Sequence, residues 1–205
     1  DDDSDSVYIG EAENVKERLV QHLRDYQSEK EKYYWNTAVA FIGRDLNKAL
    51  IRYLENRFVD LARSSKRYIV LTKNTYRNTV IKESQVAVME EFVDNVKILI
   101  NALGYKVLEP LVQKDSTSAA IDDEILYLTI GSADAAAKVT AEGFVVLAGA
   151  VINGKTAAKS LSPGTRKRRQ KLLQSDKVKD LTTTEDILFS SSSAAADFIL
   201  GYGAS

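Results

Sequence analysis

The chain contains no cysteine. That excludes disulfides, thiolate catalysis and cysteine-ligated zinc, and it fits a reducing compartment, so the expected location is cytoplasmic. A single histidine, His22, rules out any multi-histidine metal site. No apolar run approaches the roughly 20 residues that a membrane-crossing helix needs, and no membrane partner is expected. Charge of one sign is not in excess either: 28 Lys and Arg stand against 29 Asp and Glu, a formal net charge of -1. The chain as a whole therefore does not attract a polyanion, and any nucleic-acid contact must rest on local patches. The opening DDDSDS lacks the basic and apolar regions of a signal peptide and has no initiator Met. It reads as a loop cut from a longer chain, with a native disordered tail as the alternative. Gly-rich phosphate loops, a Ser-His-Asp order and internal repeats are also missing.

What is present is ordinary globular material, 44% hydrophobic and 28% charged over 205 residues, enough for one large domain or two small ones. Val7-Tyr8-Ile9-Gly10 reads as a strand end followed by a breaker. Asn14 with Glu17 forms a helix-capping pair, and Val15, Leu19 and Leu23 repeat at helical spacing up to about Asp25. Trp35 to Ile42 (WNTAVAFI) is rich in strand formers. A second helix is expected from about Leu46 to Ser64, a short extended run over Tyr68 to Leu71, and a third, strongly periodic helix near Lys82 to Leu103 with Gly104 at its C-terminus. Pro110 and the polar stretch after it interrupt this pattern. Beyond it lie candidate strands at Glu124 to Ile130, Ala135 to Thr140 and Phe144 to Ile152, a basic helix from Arg166 to Leu173 and an Ala-rich helix from Ser193 to Leu200. The expected class is α/β or α+β. Residues 1–110 would form a small mixed sheet flanked by helices, 111–120 a linker, and 121–205 a second small α+β domain.

Several residues have spacing that suits chemistry. Arg18 and His22 share a helix face, where a cation and an imidazole can hold a phosphate and manage a proton; a solvated helix edge is the plainer alternative. Glu55 sits among apolar residues of the second helix, between Ile51 and Phe58. A carboxylate there needs a cation, a metal or a raised pKa, and either a hard divalent ion or a salt bridge to Arg52 or Arg18 meets that need. Tyr8, just before Gly10, is either a half-buried strand residue or a phenol offered to a phosphate. The run Arg166-Lys167-Arg168-Arg169, with Lys171, is the strongest local charge feature; it suits phosphate contacts or a solvated helix face.

Taken in order, Tyr8-Ile9-Gly10 and Asn14-Val15-x-x-Arg18-Leu19-x-x-His22 resemble the second half of the GIY-YIG nuclease motif and the helix after it. Trp35 to Val39 and Ile51-Arg52-Tyr53-Leu54-Glu55 are similar to that family's next strand and glutamate helix, and Tyr68 with Asn74 to its asparagine segment. The resemblance spans Val7 to Pro110. It implies a catalytic set of Tyr8, Arg18, His22, Glu55 and Asn74. In that set Glu55 is the sole protein ligand of one Mg²⁺ or Mn²⁺, Arg18 binds the scissile phosphate, Tyr8 and His22 position or activate the attacking water, and Asn74 helps organise the site. It also implies that the first triplet, Gly-Ile-Tyr, lies on a strand before Asp1, so cleavage by this chain alone is expected to be weak or absent. Farther on, Glu142-Gly143-Phe144-Val145-Val146-Leu147-x-Gly149 and Phe189-Ser190-Ser191-x-Ser193-Ala194-Ala195-Ala196 resemble a C-terminal domain of unknown function that often follows such nuclease domains, with Ser192 where that pattern usually has Pro.

The expected function is thus a metal-dependent endonuclease that hydrolyses DNA phosphodiesters. Two other classes compete. A non-catalytic DNA-binding or regulatory protein on the same scaffold would bind DNA without metal. A protein-interaction module would use the apolar third helix for a homodimer or another partner.

Overall fold

The computed structural model describes residues 5–31, 34–73, 79–112, 125–157 and 159–204. The chain divides into two compact units, Asp1–Glu109 and Pro110–Ser205. Its class is α+β, as the periodicity implies.

In the first unit a short strand β1 (Ser6–Val7) leads into helix α1 (Val15–Gln27). Asn14 caps α1 as the sequence suggests: its side chain accepts the Glu17 N–H at 3.2 Å, and its amide donates back to the Glu17 carboxylate at 2.9 Å. Helix α2 (Lys48–Ser65) starts at Asn47, whose side chain accepts the N–H groups of Ala49 and Leu50. Strand β2 (Ile69–Val70) pairs parallel with β1, and helix α3 (Glu83–Ala102) follows. Leu50 and Leu54 of α2 pack on Met89 and Val93 of α3. Phe58, Leu61 and Phe92 continue that core into a second cluster, where Ala62, Val96, Val107 and Leu108 meet Val7, Ile9 and Val70. The two helices are also joined at the surface. Arg57 holds Glu90 through Nε and Nη2 at 2.9–3.0 Å, and the Tyr53 hydroxyl donates to Glu90 at 2.7 Å.

The second unit is an antiparallel sheet in the order β3 (Ile125–Ile130), β4 (Ala133–Thr140), β5 (Gly143–Val146) and then, numbering ahead in the chain, β8 (Ile187–Phe189). Between β5 and β8 lie helix α4 (Pro163–Leu173) and the small hairpin β6 (Val178–Lys179) with β7 (Thr182–Thr183). Helix α5 (Ser192–Leu200) closes the unit. Its buried face (Ala195, Phe198, Ile199, Leu200) packs on Ala133, Ala135, Val146, Ile187 and Phe189. Each large apolar side chain buried this way contributes about 1.5–3 kcal/mol. Gly143 opens β5 at φ 139°, and a Cβ there would lie 2.4 Å from the Phe189 carbonyl oxygen. Only glycine lets β8 pair this closely.

Two expected strands are corrected. Trp35 to Ile42 joins no ladder, and Ile42 is 82% exposed. Strand-forming residues make a strand only where a neighbouring edge accepts their backbone groups. Here β1 is joined to β2, and the stretch contributes only Phe41 to the edge of a core cluster. The run Phe144 to Ile152 is likewise not one strand. Asp186 captures the Ala148 N–H at 2.9 Å, Gly149 turns the chain at φ 91°, and Val151 rejoins the sheet only as an isolated bridge to Asp134 and Thr182. The three short strands β6, β7 and β8 have too little periodicity to be read in advance.

Candidate functional site

The site is built at the end of β1. Beyond Val7 the strand is continued by a side chain: Thr72, buried just after β2, accepts the Ile9 N–H at 2.9 Å and donates to the Ile9 carbonyl at 2.6 Å. Arg63 of α2 donates in turn to the Thr72 carbonyl at 2.8 Å. Ile9 is thereby fixed on both backbone groups, and its neighbour Tyr8 faces the other way. The Tyr8 ring folds over Gly10: a Cβ at that position would stand 2.7 Å from Tyr8 Cε1 and 3.0 Å from its Oη. The glycine of the Tyr-Ile-Gly triplet thus makes room for the phenol itself.

Helix α1 meets this phenol with two residues one turn apart. Arg18 Nη2 donates to Tyr8 Oη at 2.8 Å, while Nη1 donates to Gln21 Oε1 at 2.9 Å. The buried Arg18 Nε has no protein acceptor among the described residues. His22, only 7% exposed, stands edge-on to the Tyr8 ring, centroids 4.8 Å apart at 70°. Its Nδ1 lies 2.8 Å from Glu31 Oε1.

Glu55 comes to the same place from the middle of α2. The backbone of Glu11, the residue after Gly10, approaches its carboxyl and favours the charged form, and the buried Oε2 has no hydrogen-bond partner among the described residues. Burial pushes its pKa above the usual carboxylate range, and the Glu11 charge pushes the same way; Arg18 and Lys48 oppose both. Lys48, at the start of α2, is engaged by Glu11 at 3.0 Å and Glu13 at 3.2 Å. Those carboxylates raise its pKa, the Glu11 hydrogen bond most.

Tyr8, Arg18, His22 and Glu55, drawn from a strand end and two helices, are therefore neighbours: Arg18 touches Tyr8, Tyr8 touches His22, and Arg18 acts electrostatically on Glu55. Asn74, the remaining member of the expected set, lies outside the described residues. Glu11, Glu31, Lys48 and Thr72 complete the environment, and none was singled out by spacing. Glu31 in particular sits in a run of charged residues after α1 with no pattern to distinguish it.

No group of three or more Asp, Glu or His is arranged to hold a metal among the described residues. The one-carboxylate mode is a different matter. A carboxylate with an unpartnered buried oxygen, beside a guanidinium with an unpartnered N–H, suits a hard divalent cation that completes its shell with water and phosphate oxygens.

The basic run of α4 is split by the fold. Arg169, expected among the phosphate contacts, is instead 1% exposed and donates to the Asn153 carbonyl and, at 3.1 Å, to Thr156 Oγ1. It faces inward because a helix turns its residues by about 100° each, and position 169 falls on the core side with Leu172 and Leu173. Arg168 donates to the Leu188 carbonyl at 2.6 Å and lies 4.7 Å over the Phe189 ring. Arg166, Lys167 and Lys171 are exposed. No described helix is long and apolar enough to cross a membrane.

No curated protein and no solved structure matches the chain. Nor does any GIY-YIG family model. Residues 126–205 match the family model described as a domain of unknown function, DUF4357.

Proposed function

We propose that the N-terminal unit is a divalent-metal-dependent endonuclease site acting on DNA phosphodiesters. One observation carries the reading: Glu55 is a half-buried carboxylate with an unpartnered oxygen, and the Arg18 guanidinium that acts on it is itself held by Tyr8. An uncompensated carboxylate in a helix interior is costly to the fold, so its presence calls for a bound cation or a functional proton.

Glu55 is the residue that would hold Mg²⁺ or Mn²⁺, and the ion when bound would neutralise charge that builds on the phosphoryl oxygens. Arg18, fixed by Tyr8 and Gln21, holds its cation near Glu55 in an orientation set before substrate arrives, and that charge would meet a phosphate oxygen. The Tyr8 hydroxyl accepts from Arg18 and keeps its own proton to donate to phosphate or water. His22 accepts the proton released when water attacks phosphorus. The attack forms one P–O bond and breaks the bond to the leaving sugar oxygen, which takes up a proton.

The test is supercoiled-plasmid nicking by the full-length protein with Mg²⁺ or Mn²⁺, beside Arg18→Ala and Glu55→Ala. Nicking that needs metal and is lost in both variants is the expected result. Metal-independent DNA binding without nicking, unchanged in Glu55→Ala, would favour the non-catalytic reading, for which the exposed cations of α4 are the supporting feature.

A further inference from the structure

His22 is nearly buried, yet its ring is held by a charged group from outside α1: Glu31 Oε1, 2.8 Å from Nδ1. A neutral imidazole has one N–H and one lone pair, and the hydrogen bond made by one nitrogen decides the role of the other. Glu31 bears a carboxylate, which accepts and cannot donate. Its contact therefore selects the form with the proton on Nδ1 and leaves the lone pair on Nε2.

The rest of the surroundings fits that division. Tyr8 meets the imidazole edge to face and makes its own polar contact with Arg18, one helical turn away. The groups facing His22 are thus Glu31 on Nδ1, the Tyr8 ring, and the Arg18 cation beyond that ring. The His22 side chain keeps 9% of its surface exposed.

We propose that Glu31 is a positioning residue: it pins His22 as the Nδ1–H tautomer, so that Nε2 is the proton acceptor for the attacking water. This rests on the nuclease reading of the site. In the step concerned, water oxygen bonds to phosphorus, its proton passes to Nε2, and the resulting imidazolium is stabilised through Nδ1–H by the Glu31 carboxylate. Glu31 touches neither water nor phosphate.

The chain's single histidine makes the test direct, because the imidazole ¹⁵N spectrum contains only His22. Long-range ¹H–¹⁵N correlation on this 205-residue chain, at a pH where the ring is neutral, is expected to give a pyrrole-type Nδ1 and a pyridine-type Nε2. Glu31→Ala should move the proton to Nε2, the form an unconstrained imidazole prefers. Glu31→Gln, which still offers a carbonyl oxygen to Nδ1–H, should keep the wild-type tautomer and so serves as the conservative rescue. In the nicking assay Glu31→Ala should lower kcat about tenfold to a hundredfold with KM little changed, and Glu31→Gln should recover most of it. Nicking by wild type with the proton on Nε2, or with kcat unaltered by Glu31→Ala in a variant whose amide spectrum is that of the folded protein, would overturn the proposal while leaving the nuclease reading intact. An Nδ1–H tautomer in a protein that does not nick DNA would overturn the nuclease reading, and with it the role of Nε2.

Discussion

Glu55→Gln should make the N-terminal unit more stable and the site useless. Glutamine keeps the shape of the side chain, but it carries no charge. The sign follows from the direction of the shift. Burial raises the Glu55 pKa in the folded state above its unfolded value of about 4.3, so the native chain holds this proton more tightly. The stability associated with the protonated form is fully present below the unfolded pKa and is lost as pH rises through the folded one. Above the unfolded pKa the unpartnered Oε2 therefore weighs against folding. A buried polar atom without a partner costs about 1–3 kcal/mol. Glutamine still leaves one such atom, and partial exposure of the residue screens the charge, so the gain is on the order of 1 kcal/mol. For a unit of roughly 100 residues that corresponds to about 4–8 °C in Tm. The assay is thermal unfolding followed by the fluorescence of Trp35, the chain's only tryptophan, which lies in the N-terminal unit. A second arm adds Mg²⁺. At tenfold excess over its Kd the ion should stabilise the wild type by about 1.4 kcal/mol and leave Glu55→Gln unmoved. The gap between the two proteins without metal should close near pH 4. A lower Tm for Glu55→Gln at pH 7, with no response of the wild type to Mg²⁺ or Mn²⁺, would mean that the carboxylate already has a satisfying partner, and the reasoning would fail.

Gly10→Ala should drive the Tyr8 phenol away from Arg18, because the new Cβ would fall 2.7 Å from the ring; the exposed ring can swing, so the fold should lose less than about 1 kcal/mol while nicking falls as far as in Tyr8→Phe. Glu90→Gln should cost about 0.5–1 kcal/mol in urea unfolding at pH 7, a modest figure because the Glu90 side chain is 34% exposed. Arg57, foremost, depresses the Glu90 pKa, so that contribution is present above about pH 4.3 and lost as pH falls through the folded value, and wild type and variant should converge in strong acid. Arg169→Ala should destabilise the C-terminal unit by about 3 kcal/mol or more, since it leaves a cavity and unpaired acceptors at Asn153 and Thr156. The double change Arg166→Ala with Lys167→Ala should leave melting unchanged and, where α4 contacts duplex phosphates, reduce the log–log salt slope of DNA binding by about 1.8.

The local features of this protein were legible along the chain because they depend on neighbours in sequence. Asn14 and Glu17 cap α1 through residues three apart, and the apolar periods of α2 and α3 placed both helices to within about two residues. Arg18 and His22 shared a face for the same reason, and Glu55 stood out as a carboxylate among Ile51, Leu54 and Phe58. Three dimensions decided the rest. Whether WNTAVAFI becomes a strand depends on a free sheet edge, which its own composition cannot supply. The pairing of Glu31 with His22, the clasp of Thr72 on Ile9 across 63 positions and the approach of Glu11 to Glu55 are made by chain returning from elsewhere. Arg169 looked like its basic neighbours until helix rotation carried it into the core and left Arg166 and Lys167 outside. Charge and propensity belong to a residue by itself. Burial and partnership belong to the packing around it, and it is these that turn a carboxylate or a guanidinium into either a site or a strut.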